Sequence, residues 1–313
     1  MNDARLVTPA MLGLWAFLAT VPLWIERAGL YPYLGVEILI WSIYALAFNL
    51  VMGTAGLVSF GHGAYFGVGA YAFGLAQFNL STNLWVCLTV SLLGGALAGL
   101  LVGLFISHRR GIYYAFMTIA FGQIFWTVAI KSYAITGGED GLLKIARAPA
   151  DLGFIAFDLG DNFALYWFVL AVFALVVVAL WRLVHSPFGR VLAAIRQSET
   201  RAAHLGYAVW RYKLAVFAIS AGVSGLAGGL FAMAQRSAFP DVMSLNQSGL
   251  VVMMALVGGG LVSFWGPVVG VAVFLLARDI IGAITFSWMI WFGLLFMAVV
   301  LFKPEGILGL FKK

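Results

Sequence analysis

The chain has 313 residues, of which 63% are hydrophobic and 10% charged, with 37 glycines and 11 tryptophans. Apolar runs this long and this numerous exceed what a soluble core can hide, which excludes a soluble globule and gives an all-α, polytopic transmembrane bundle. The net charge of +6 is not a nucleic-acid signature in such a chain; what matters is its distribution among loops.

In chain order the apolar runs are 10–25, 36–55, 57–78, 84–106, 112–131, 163–181, 212–235 and a long stretch, 247–302. A helix of about 20 residues matches a hydrocarbon layer of ~30 Å. The first run reads as a span rather than a signal peptide, because the tail before it holds Asp3 and only Arg5, with no small-x-small cleavage site after it. Cys87, the single cysteine, lies in an apolar run and is expected to pack rather than react.

The loops differ in charge. "SHRRG" with Arg109 and Arg110, the segment from Arg182 to Lys213, and Lys303, Lys312 and Lys313 together hold eleven of the 18 basic residues. Loop 132–162 instead carries Glu139, Asp140, Asp151, Asp158 and Asp161 against Lys144 and Arg147. Basic loops stay in the cytoplasm, so "SHRRG", the basic segment and both termini are expected inside, and 132–162 outside. Parity then requires an odd number of crossings in 247–302. Three, broken near "SFWGP" and "ITFS", give ten spans; one crossing plus a re-entrant segment gives eight.

There is no G-x-x-x-x-G-K-[ST], no G-x-S-x-G, no H-E-x-x-H and no cysteine–histidine metal cluster. Glu37, Lys131, Arg278 and Asp279 fall near span ends, where they are expected to snorkel. His62 is the one titratable group well inside a candidate pore segment. A chain with so few intramembrane charges is a passive pore, or takes its energy from another protein.

The stretch 189–213, "GRVLAAIRQSETRAAHLGYAVWRYK", is basic and alanine-rich. Ser186 and Pro187 read as N-cap and first residue of a helix to about Gln197. Ser198 caps a second short helix with Glu199 in its first turn, and Gly206 stops it. Arg190, Gln197, Arg201 and His204 share one face; Leu192, Ile195 and Ala202 share another. Such a loop either rests on anionic lipid or docks a cytoplasmic partner, and small residues favour a fitted protein surface. "GLVSF" occurs at 56–60 and again at 260–264, each time leading into glycines. This reads as an internal repeat with glycine-broken helices near a transport path, or as chance.

"RVLAAIRQSETRAAHLGYAVWRYK" resembles the coupling loop of ABC importer permeases. "FNLVMGTAGLVSFGHGAYFGVGAYA" (48–72), "TGGEDGL" (136–142), "VGGGLVSFWGPVVGV" (257–271) and "LFKPEGILGL" (301–310) are similar, in order, to motifs of the LivM-type permeases of branched-chain amino acid ABC importers. Val262 and Glu139 depart from that pattern. The resemblance implies one permease domain over 1–313, loop 132–162 as a periplasmic or extracellular loop, and a coupling loop at 185–212. It implies a bacterial cytoplasmic (inner) membrane and no cofactor in this chain, since ATP and magnesium belong to partners. Those partners are a LivH-like second permease, two ABC ATPase subunits, and a periplasmic or lipid-anchored solute-binding protein, beside membrane lipid.

Candidate coupling residues are then Arg190, Arg196, Glu199, Arg201, His204 and Gly206, with Glu199 and Arg201 meeting charged groups on the ATPase. Candidates for the path or its helix breaks are Asn49, Gly53, Gly56, Ser59, His62, Gly258, Gly259, Gly260, Trp265 and Pro267. Half-helix ends at Gly53–Gly56 and Gly258–Gly260 are expected to offer backbone groups to the solute, while His62 and Asn49 read first as packing or staple residues. A urea or short-amide importer shares the architecture, and a stand-alone channel or carrier is the reading from another class.

Overall fold

The computed structural model describes residues 9–25, 31–151, 156–259, 263–285, 287–302 and 306–309. Helix α1 is Pro9–Trp24, α2 Tyr33–Asn49, α3 His62–Asn79, α4 Leu84–Ile106 and α5 Gly111–Lys131. A short α6 (Tyr133–Thr136) opens the long loop, and α7 is Asn162–His185. The basic segment forms α8 (Pro187–Gln197) and α9 (Glu199–His204). Then come α10 (Val209–Gln235), α11 (Leu245–Gly259), α12 (Gly266–Ile284), α13 (Trp288–Phe302) and α14 (Gly306–Gly309). Strands β1 (Leu142–Leu143) and β4 (Ser237–Ala238) pair, as do β2 (Ala150–Asp151) and β3 (Ala156–Phe157).

Among the described residues six helices are long and apolar enough to cross a bilayer: α2 extended through Thr54, α4, α5, α7, α10 and α12. A helix also stands at each other place where the sequence puts a crossing, as α1, α3, α11 and α13, which are shorter or richer in glycine. The stretch 247–302 holds three helices, and the links between them lie at "SFWGP" and "ITFS". The chain is a multi-pass helical membrane protein.

Helix α2 is apolar all round and accordingly central: every residue from Leu34 to Asn49 except Ile38 is buried. Around it, α3, α4 and α10 approach at backbone contact. A Cβ at Gly228 would lie 1.8 Å from the Phe66 carbonyl oxygen, and one at Gly69 2.0 Å from that of Gly225. Lipid supplies little hydrophobic drive between helices, so small residues that let backbones touch supply the contact. Cys87 is buried on α4, its thiol directed at the Ser81 carbonyl.

The bundle has a basic end, with "SHRRG", α8 and α9, and a loop end, where 132–151 and 156–161 fold over the helices. The Gln77 amide both donates to the Ala146 carbonyl and accepts from its N–H, at 3.0 and 2.8 Å. Arg147 donates to the backbone oxygens of Gly160 and Ala234 and to Asn162 Oδ1.

Also at the loop end, Glu37, Arg278 and Asp279 do not snorkel separately as expected. Arg278 grips Glu37 with both terminal nitrogens, at 3.0 and 2.9 Å, and meets Asp279 at 3.2 Å. Tyr31 donates to Glu37, and burial, with Glu37 next, lifts its phenol to about 12. Desolvation at these depths makes pairing between neighbouring helices better than two separate excursions to water.

Candidate functional site

The site begins with local capping. Ser186 Oγ accepts from Gly189 N–H with Pro187 in the first turn, and Ser198 Oγ accepts from Arg201 N–H, each at 3.3 Å. These caps set two short helices end to end. Leu192, Ile195 and Ala202 are buried beneath them, while Arg190, Gln197, Arg201 and His204 face outward. Gly206 ends α9 with φ +87°, and a Cβ there would touch nothing within 4 Å. Around it Leu205, Tyr207 and Trp210 stand exposed, beside a groove of about 430 Å³ that includes Phe188 and Arg211.

Glu199 does not face outward, contrary to its expected meeting with a partner's basic group. Its two oxygens are held by Arg110 Nε at 2.9 Å and Lys213 Nζ at 3.2 Å. Lys213, one of the cations of the basic segment, is only 1% exposed and also donates to the Arg109 carbonyl. One carboxylate thus ties α9 to the α4–α5 turn and to the N-terminal part of α10. A buried ammonium needs such partners.

Arg196 is likewise not a free outward charge. It leaves α8 and donates to the Gly53 carbonyl, where α2 ends in a π turn, Leu50–Thr54. Gly56 follows with φ +72°, and a Cβ there would fall 2.7 Å from Arg196 Cγ. Both the left-handed backbone and the close approach call for glycine. Residues 55–61 then run back into the bundle to the start of α3. Gly61 backs onto Thr118, and His62 meets Ser220. At 1.5 Å per residue along α5 and α10, α3 begins roughly 10–16 Å inside the bundle.

His62 is fully buried there. Its Nε2 lies 2.9 Å from Ser220 Oγ and its Nδ1 2.8 Å from Ser59 Oγ. Ser220 gives its one proton to the Ala47 carbonyl, so it accepts from His62, which assigns the Nε2–H tautomer. Phe48, Tyr65 and Phe217 present edges or faces to the ring. Asn49 donates to the Ser263 carbonyl at 3.2 Å, joining α2 to the link before α12. Trp265 precedes α12, with Pro267 in its first turn, and its ring rests against Trp15.

The glycine breaks are in part occupied by the protein itself. The Gly53 carbonyl is taken by Arg196, and a Cβ at Gly258 would stand 1.9 Å from the Gly266 carbonyl. Gly258 and Gly259 end α11 against α12, so their small size serves packing. Gly260 lies outside the described residues, as do the lysines of the C-terminal tail.

Sequence reasoning missed a second feature at the loop end. After α10 the chain descends as a strap, 236–244, and α11 starts inside the bundle, where Ser248 Oγ accepts from Gly63 N–H at 2.9 Å. Beside the strap is a cavity of about 640 Å³ walled by α5, α10 and the first turn of α11. Of its lining only Glu139 is singled out by the sequence, as a loop charge. The others come from two stretches about a hundred residues apart, 126–130 and 231–247, which no spacing rule connects. Among the described residues no group of three or more histidine, cysteine or acidic residues is placed to hold a metal.

The family described as branched-chain amino acid transport system, permease component, matches residues 33–303. The high-affinity branched-chain amino acid transport system permease protein LivM of Salmonella typhimurium is 29% identical over 289 residues, covering 86% of this chain and 68% of that protein. The LivM protein of Escherichia coli gives the same figures, 29% over 289 residues. A probable LivM permease of Methanocaldococcus jannaschii is 23% identical over 323 residues, covering 87% of this chain and 92% of the other. No solved structure matches the chain. With the match running from the start of α2 to the end of α13, the chain belongs to the permease-component family of branched-chain amino acid transport systems.

Proposed function

We propose that this chain is the membrane-spanning permease subunit of an ATP-driven importer of branched-chain amino acids in a bacterial cytoplasmic membrane. The family match over 33–303 supports the transport class. The observation that carries the coupling role is the α8–α9 pair, braced from beneath by Glu199 and exposing Leu205, Tyr207 and Trp210. A lipid-resting loop needs a basic face and an apolar underside only. A capped helix pair with a groove beside its glycine stop suits a protein partner.

In this reading α8, α9 and the turn to α10 are the cytoplasmic coupling loop and dock an ATPase subunit, two of which serve the complex. A second, LivH-like permease completes the core, and a solute-binding protein delivers substrate at the loop end, over 132–162. Hydrolysis belongs to the ATPases, and this chain carries no cofactor. The test is reconstitution in proteoliposomes. ATP-dependent leucine uptake is expected with all partners, and no uptake with the chain alone; rapid uptake by the chain alone would refute the reading. Leu205→Ser with Tyr207→Ser should reduce ATPase co-purification at unchanged thermal stability.

A further inference from the structure

The cavity beside the strap combines two chemistries. Trp126, Ile130, Phe231 and Phe239 give it apolar walls, and Glu139 and Asp241 give it carboxylates. No lysine or arginine lines it, and neither carboxylate forms an ion pair among the described residues. Gln247, in the first turn of α11, also lines it, and its buried side-chain oxygen has no hydrogen-bond partner. Buried polar atoms are rarely left this way unless something else meets them. The contrast with the neighbouring cavity at the same end is informative. That one, of about 590 Å³ between Gln77 and Asp151, sets Lys144 and Arg147 against a single acid.

We propose that the cavity between α5, α10 and the strap is a binding site for the solute, which takes a primary ammonium at Glu139 and Asp241 and an aliphatic side chain against Trp126, Ile130 and Phe231. This rests on the import reading above and names where the solute first meets this chain. The volume suits a small molecule. Two carboxylates without a cation leave an ammonium as the complementary group, and charge-assisted hydrogen bonds to it are stronger than neutral ones. A buried oxygen such as that of Gln247 adds a further acceptor. The same acids repel a solute that carries only a carboxylate. An uncharged amide gains little from them, so urea is a poor fit.

The site can be probed without turnover. In the full chain with Cys87→Ala, a cysteine is introduced by Val242→Cys or, separately, by Ser237→Cys, both lining the cavity, and maleimide labelling is followed in permeabilised membranes. Leucine should slow labelling severalfold at both positions. Isopentylamine, which keeps the ammonium and the branched chain, should retain most of that protection, whereas 4-methylpentanoate and urea should give none. Glu139→Gln with Asp241→Asn should abolish protection, read as the ratio of labelling rates with and without leucine within the same variant. Labelling indifferent to leucine at both positions, or equal protection by 4-methylpentanoate, would overturn the site. ATP-driven uptake by the wild-type complex is measured alongside. Uptake without protection rejects this site alone, and protection without ATP-driven uptake rejects the importer reading alone.

Discussion

Arg196 donates to the carbonyl oxygen of Gly53, 143 residues earlier in the chain, and so joins the surface helix α8 to the end of the most buried helix, α2. The contact falls where α2 is least regular, at the π turn 50–54, next to Gly56 and the segment 55–61 that leads to α3. Single π turns are rare and recur at functional sites. A push on α8 reaches the α2–α3 break through one side chain.

Arg196→Ala should therefore loosen 50–57 without unfolding the bundle. Hydrogen exchange at those amides should quicken by tenfold or more, while that of α10 stays as it was. In the proposed complex, ATP hydrolysis should persist and leucine uptake should fall severalfold, with Arg196→Lys intermediate because it keeps the charge but not the planar fork. Unchanged exchange at 50–57 would show that the contact does not hold the turn.

Glu199 makes a different kind of link. Removing it leaves Lys213, 1% exposed, with the Arg109 carbonyl and the face of the Tyr114 ring as its remaining partners among the described residues. Breaking a buried pair costs about 3–5 kcal/mol; with 18% of the Glu199 side chain exposed, water reclaims part of this, and the lower end is expected. Glu199→Ala should lower the thermal midpoint in detergent, and Arg201→Ala, on the exposed face, should not. Equal midpoints for the two variants would count against the brace.

The α3–α10 seam gives a steric test. Gly228→Ala places a methyl 1.8 Å from the Phe66 carbonyl oxygen, a backbone atom that cannot move aside cheaply. Folded, detergent-stable chain should be lost. At Gly249 a Cβ meets nothing within 4 Å, so Gly249→Ala should be recovered at wild-type levels. Equal recovery of both would argue that α3 and α10 do not approach this closely.

These residues also show what was legible from sequence. The Ser186 and Ser198 caps, the Gly206 stop and the two faces of α8 and α9 are local patterns with a period of 3.6, and they can be read directly. The links near "SFWGP" and "ITFS" are similarly local. Glu199 and Arg196 were legible as charges in a basic loop but not by role, because their partners Arg110, Lys213 and Gly53 are set by tertiary packing. The glycines at 53, 56 and 258 read as breaks. That two of them touch Arg196 and one touches α12 depends on which helices become neighbours. The cavity beside the strap was invisible for the same reason.

The Glu37–Arg278 pair offers a last test, because it joins the two long helices α2 and α12 at the loop end. Glu37 is 7% exposed, and its carboxylate accepts from both terminal nitrogens of Arg278 and from Tyr31. Arg278→Gln leaves a buried carboxylate with the Tyr31 hydroxyl as its remaining partner. Glu37→Gln leaves Arg278 with Asp279, at 3.2 Å on the next residue. The first single variant should therefore be the more destabilising. Pairing Glu37→Gln with Arg278→Gln removes both charges and lets two amides meet. In a double-mutant cycle on thermal or denaturant stability the double variant should recover part of the loss, with a coupling of about 0.5–3 kcal/mol, the range for residues in direct contact. Simple additivity of the two losses would mean that each charge reaches water on its own, as the sequence first suggests, and that α2 and α12 are not joined there.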